Sequence, residues 1–161
     1  MNIPYDIESF PNFFSLVAES ESDGERYEFE ISDRRDDLER LIRFLRWVSD
    51  GDHRMVGYNN LNYDYPMLHF IIELNVLGDV TAADIYKHSN WLMSLTHDEQ
   101  YKNTIWPNNH YVKQIDLLKI HHFDNASKRT SLKILEFNMR SDHIQESGVP
   151  FDTVLTHDEM D

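Results

Sequence analysis

Alternating apolar and polar positions open the chain. Ile3, Tyr5 and Ile7 stand against Pro4, Asp6 and Glu8, the period-2 pattern of a strand with one buried face. Pro11 and Asn12 interrupt it as a turn. Phe13 to Ala18 then reads as a second strand, Ser20 to Gly24 as a hairpin loop, and Arg26 to Ile31 as a third, again alternating, strand. From Asp36 the period lengthens. Leu38, Leu41, Ile42, Leu45 and Val48 share one helical face, with Arg40, Arg43 and Arg46 off it. Asp33, Asp36 and Asp37 gather at the start of this helix, where its dipole favours negative charge. Beyond Gly51, Arg54 to Tyr58 reads as a short buried strand. Pro66 at a first helical position and Gly78 just past the end bracket a helix over Met67 to Leu77. Thr81 with Asp84 three residues on predicts a capped helix running to about Leu95. Residues 96–110 carry no regular pattern. Val112 to Ile120 reads as a strand ending near His121, and Thr130 as the cap of a helix carrying Leu132, Ile134, Leu135 and Met139.

Three meandering strands, a helix, a strand, helices, a strand and a helix make an α/β domain on a mixed sheet. The 161 residues, 40% of them hydrophobic, suffice for one such domain with a proper core, spanning 1–161. No stretch approaches the roughly 20 apolar residues that cross a bilayer, and the N-terminus has no basic start or apolar signal core. With no cysteine there are no disulfides, thiolate zinc sites or thiol nucleophiles. A cytoplasmic protein that does not enter a membrane is the expectation.

The net charge of −14 opposes binding to a polyanion, unless divalent cations held by carboxylates meet the phosphates first. Carboxylates are where candidate chemistry concentrates. Asp6 and Glu8 lie two apart on the first strand, so both leave the same face, roughly 6–7 Å apart along the backbone, and can converge on hard cations. Surface strands also carry such pairs with no function. The run Gly57-Tyr-Asn-Asn60-Leu-Asn-Tyr63-Asp64-Tyr-Pro66 presents a second acid at a strand-to-helix junction. Asp64 either caps the following helix or is displayed by a tight loop, and capping alone does not call for the flanking Asn and Tyr residues.

Tyr5-Asp6-Ile7-Glu8 resembles the first motif of the DEDD superfamily of 3′→5′ exonucleases, Asp-x-Glu on a first strand. Asn60-Leu-Asn-Tyr63-Asp64 resembles its second, Asn-x(2–3)-(Phe/Tyr)-Asp. The likeness is greatest to proofreading exonuclease domains of family B DNA polymerases and to phage-type exonucleases. Gln114-Ile-Asp116-Leu-Leu, Lys128-Arg-Thr-Ser-Leu-Lys133 and Phe137-Asn-Met-Arg140 look like the segments that follow in phage-type members. The resemblance covers essentially the whole chain. It implies a ribonuclease-H-like mixed sheet of about five strands flanked by helices. It also implies two-metal hydrolysis at single-stranded or frayed DNA 3′ ends, with a DNA polymerase domain or subunit as a partner. Asp6 would bridge two Mg²⁺ or Mn²⁺ ions, Glu8 would help hold the nucleophile-side ion, Asp64 would hold the other, and Asn60 would shape the second motif.

The superfamily's third motif, Tyr-x(3)-Asp or His-x(4)-Asp, has no clear counterpart. His157 to Asp161 has the Tyr-type spacing with a His in the Tyr place. Thr156 with Glu159 forms a capping-box pattern announcing a helix, and the sequence stops two residues later. The expectation is therefore a domain truncated at its C-terminus, with three of four acids and an impaired active site. The rival is a non-catalytic nucleic-acid- or protein-binding module that keeps the fold; a ribonuclease of the same superfamily is a third reading. Lys128 and Arg129, with Lys133 and Arg140, form the only basic concentration, either a strand contact at a helix N-terminus or a solvated helix end. Phe10 and Phe13 either stack on a terminal base or pack in the core. Asp116 is a possible extra acid and reads better as structural. The nine histidines show no His-x(3)-His pair and read as surface or loop residues.

Overall fold

The first ten residues form the central strand of the protein because every second side chain is apolar. In the computed structural model, which describes residues 1–122, 130–134 and 148–161, β1 (Asn2–Phe10) buries Ile3, Tyr5 and Ile7. A two-residue turn at Pro11-Asn12 returns the chain as β2 (Phe13–Glu19), antiparallel to β1 with Asp6 opposite Val17 and Glu8 opposite Ser15. The second turn contains Gly24 at φ +72°, a left-handed conformation that a side chain disfavours. β3 (Arg26–Ser32) then pairs antiparallel with β2.

α1 (Leu38–Asp50) buries Leu38, Leu41, Phe44, Leu45 and Val48 and packs on β3 and β4 (Arg54–Gly57). Its first turn is held by Asp36, whose carboxylate accepts from Leu38 N–H at 3.0 Å. The buried Asp37 instead accepts from Glu30 N–H and is ion-paired with Arg35 and Arg40. β4 lies parallel to β1, and after three helices β5 (Lys113–Asp116) lies parallel to β4. The result is an open, mixed five-stranded sheet of order β3-β2-β1-β4-β5, flanked by helices. Among the described residues no helix is long and apolar enough to cross a membrane.

The helices between β4 and β5 depart from the sequence expectation in places that physics explains. α2 (Asp64–Leu77) begins two residues before Pro66, which a first helical turn tolerates because its N–H groups have no intrahelical partner. α3 (Ala82–Ser94) has the Thr81–Asp84 capping box that the sequence predicts, with both reciprocal bonds formed. Thr81→Ala should lower stability by about 1 kcal/mol, measured by urea denaturation, since it removes an N-cap. Residues 96–110 are not patternless. A second capping box, Thr96 with Glu99, starts α4 (His97–Lys102), and a 3₁₀ turn spans Pro107–Asn109. The expected long strand to Ile120 stops at Asp116, because the Asp116 side chain accepts from Leu118 N–H and starts α5 (Leu117–His121).

Residues 132–134 are helical, and the cap is Ser131, whose hydroxyl accepts from Ile134 N–H. Thr130 is used otherwise: its N–H donates to His122 Nε2 and its carbonyl accepts from the Tyr58 hydroxyl. Leu135 and Met139, expected on that helix, lie outside the described residues. At the C-terminus, the Thr156–Glu159 capping box forms and starts a 3₁₀ turn over His157–Met160. Leu155 and Met160 there seal a small apolar cluster with Phe10 and Phe13. Arg34 fastens this segment, donating to the carbonyls of His157 and Met160 and pairing with Asp161 and Glu30.

Candidate active site

β1 and β4 run side by side, but their chains leave in opposite directions, β1 toward β2 and β4 through α2 toward β5. Such a switch point leaves a crevice beyond the carboxyl ends of the parallel strands. Of β1, only Asn2, Ile3 and Pro4 pair with β4, so β1 overhangs this neighbour from Tyr5 onward. Asp6 and Glu8 lie on that overhang, and both side chains reach solvent. Even so, partial loss of water raises both carboxyl pKa values. For Asp6 the Ile7 N–H offsets part of the rise, and for Glu8 the charge of Asp6 adds to it.

The loop after β4 delivers Asp64. Asp64 is the first residue of α2, and the preceding N-cap residue, Tyr63, makes no side-chain capping bond. Asp64 is buried, with 9% of its surface exposed, and its pKa is pushed up to about 7. Burial is the main cause; the negative charges of Asp6 and then Asp116 add to it, partly offset by backbone N–H groups including that of Ile7. Asp64 is more deeply buried than Asp6, so it retains its proton first as the two repel. The half-buried Tyr63 feels all three acids: burial, then Asp64, Glu8 and Asp6, raise its hydroxyl's pKa, against a 2.7 Å hydrogen bond with Ser89 that lowers it.

Beneath the acids lies a polar network. Asn60, fully buried, donates from Nδ2 to Gln114 Oε1 at 2.8 Å, and the Tyr5 hydroxyl donates to the same oxygen at 3.0 Å. The Asn60 carbonyl accepts from Tyr65 N–H, which fixes the start of α2. Asn59 takes φ +63°, and Gly57 is required at the end of β4, where a Cβ would lie 2.7 Å from Asn60 Cβ. Asp116, 5% exposed, accepts from Asn59 N–H at 2.9 Å and Leu61 N–H at 3.3 Å. Asn60 is legible in the sequence as part of the second motif, whereas its bonds to Tyr5 and Gln114 are not. Gln114-x-Asp116 at a strand end was the available signal, since both side chains point to one face and meet the preceding loop.

Of the remaining candidates, Phe10 is 5% exposed and its ring is committed to Phe13, Leu155 and Met160, not open for base stacking. Asp161 is held by Arg34, and His157 by Asp33. Lys128 and Arg129 lie outside the described residues.

Among the described residues no Lys, Arg or His forms an ion pair with Asp6, Glu8 or Asp64. Among the same residues, no three His, Asp or Glu groups converge closely enough to hold a cation by themselves. Asp6 is thus electrostatically coupled to both Glu8 and Asp64, and none of the three has a counter-charge among the described residues. A groove of about 500 Å³ between α2 and α3, lined by Phe70, Leu74, His88 and Trp91, includes none of them. No protein-family model, curated protein or solved structure matches the chain.

Proposed function

We propose that this chain is a divalent-cation-dependent 3′→5′ exonuclease domain of ribonuclease-H-like fold. The observation that carries the reading is the acidic cluster at the switch point, without a cationic partner among the described residues, where the Asp64 pKa is driven up to about 7 beside Asp6. A buried carboxylate without a cationic partner raises the free energy of a fold, and Asp64 with two solvent-facing acids nearby suits a positive ligand. The donor chemistry fits Mg²⁺ or Mn²⁺, since every donor is a carboxylate oxygen. When bound, such ions supply Lewis acidity at a phosphate and a water of lowered pKa.

The chain's own residues then have distinct tasks. Asp6 and Glu8 hold from the β1 overhang and Asp64 from the loop after β4. Asp64 must release its proton to act as a ligand, so cation affinity rises with pH through about 7. Asn60 holds the loop in shape. The substrate is the 3′ end of single-stranded or frayed DNA, with Lys128 and Arg129 as strand contacts and a polymerase domain as a partner.

One observation favours a second reading, a binding module without catalysis: no three acids among the described residues meet at one point. The two readings separate on a 5′-labelled single-stranded DNA incubated with Mn²⁺, with and without EDTA, beside Asp6→Ala. A ladder shortening from the 3′ end, abolished by EDTA and by the substitution, supports the exonuclease. Binding of the DNA without any Mn²⁺-dependent shortening, by a folded sample, supports the module.

A further inference from the structure

Among the acids of the crevice, Asp116 differs in its partners. It sits at the end of β5, directly across from Gly57 of β4. Its carboxylate is buried, and among the described residues it has no cationic partner. Backbone N–H groups satisfy it instead: Oδ1 accepts from Asn59 at 2.9 Å and from Leu118 at 3.0 Å, and Oδ2 accepts from Leu61 at 3.3 Å. These donors come from two separate chain segments. Leu118 belongs to the first turn of α5, whereas Asn59 and Leu61 belong to the loop that ends in Asp64. The left-handed Asn59 turns the loop so that the two N–H groups on either side of Asn60 face the same carboxylate. A carboxylate accepts at both oxygens, whereas an amide accepts at one only, which explains an acid at a position with no counter-ion.

We propose that Asp116 is the positioning residue of this site: it ties the Asn59–Leu61 loop to the end of β5 and thereby sets where Asp64 stands relative to Asp6, without itself holding a cation. This inference rests on the proposed cation site. Residues that orient ligands from behind govern affinity through geometry, and losing one typically costs about 10–100-fold in metal affinity.

The test compares Asp116→Ala and Asp116→Asn with the unsubstituted protein and with Asp64→Ala. Mn²⁺ affinity is read by electron paramagnetic resonance, and loop order by amide hydrogen exchange in EDTA. Asn keeps an acceptor for Asn59 and Leu118 and loses the one for Leu61; Ala loses all three. Positioning predicts a Mn²⁺ affinity reduced about 10–100-fold in Asp116→Ala and restored in large part by Asp116→Asn. It also predicts lost protection at the Asn59 and Leu61 amides while the amides of β1 and β2 stay protected. The inference is overturned if Asp116→Ala binds Mn²⁺ as tightly as the unsubstituted protein. It also falls if Asn is as damaging as Ala, which would assign the effect to charge, or if Asp116→Asn fails to fold. Unchanged Mn²⁺ affinity in Asp64→Ala would instead reject the cation site, and the exchange data would still decide whether Asp116 holds the loop.

Discussion

Asp64→Asn should be more stable than the unsubstituted protein at pH 8 in EDTA and, under the proposed function, should lose cation-dependent cleavage by more than about a hundredfold. Both effects have one cause. The folded state raises the Asp64 pKa to about 7, far above the ordinary carboxyl range, because it removes water and places Asp6 and Asp116 nearby. Between about pH 4 and pH 7 the folded protein keeps a proton that the unfolded chain has released. Stability therefore falls as pH rises through this window, and above it the full penalty is present. A shift of one unit corresponds to about 1.4 kcal/mol. A rise of roughly three units would cost about 4 kcal/mol at most, since Asp64 and Asp6 titrate as a coupled pair. Asparagine fills the same space and cannot ionise, so its advantage is greatest at pH 8 and absent near pH 4. The activity loss exceeds what removal of an orienting residue brings, about 10–100-fold, because Asp64 is a direct holder in the proposed site. Urea melts at pH 4, 6 and 8 measure the first effect and a labelled-DNA assay in Mn²⁺ the second. Equal stability of the two proteins at pH 8 would remove the uncompensated charge on which the functional reading stands.

The same electrostatics explain what the sequence made legible and what it did not. Alternation in β1 and β3 and the period of α1 report directly which faces are buried, so the meander and its helix follow from residue type alone. Thr81 and Thr96 show the same capping chemistry three residues before an acid. Only the first is legible as a helix start, because the second lacks an apolar face behind it and α4 buries no residue. The sequence overextends β5 because Leu117, Leu118 and Ile120 suit a strand as well as a helix, and only the Asp116 bond to Leu118 N–H decides between them. At the site, the identities of Asp6, Glu8, Asp64 and Asn60 were visible as spaced residues. Their energetics were not, because the rise in Asp64 depends on charges 58 residues before and 52 residues after it in the chain. Phe10 shows the converse. An aromatic next to an acidic motif suggests a base-stacking surface, and the fold instead spends it on Leu155 and Met160, which no local pattern connects to it.

Gly57→Ala tests whether the loop geometry matters as much as the acids. The added Cβ would lie 2.7 Å from Asn60 Cβ and 2.9 Å from its Cγ, so one of the two must move. Asn60 is poorly placed to yield. Its side chain is bonded to Gln114, its carbonyl to Tyr65 N–H, and the N–H groups on either side of it to Asp116. Strain that cannot be absorbed locally moves the loop as a body, and Asp64 moves with it. Overpacking of this kind costs about 1–3 kcal/mol, and a displacement of about 1 Å at reacting groups can cost roughly a hundredfold in rate. Gly57→Ala is therefore expected to lose about 1–3 kcal/mol in urea melts and to cut Mn²⁺-dependent cleavage about a hundredfold, although no acid has been touched. Gly148→Ala, with no described residue within 4 Å of the new methyl, is the control and should stay within about 0.5 kcal/mol of the unsubstituted protein. If Gly57→Ala lost stability but kept full cleavage, the loop would be free to place Asp64 from more than one conformation. The rigid network of Asn60, Gln114 and Asp116 would then serve the fold and not the site.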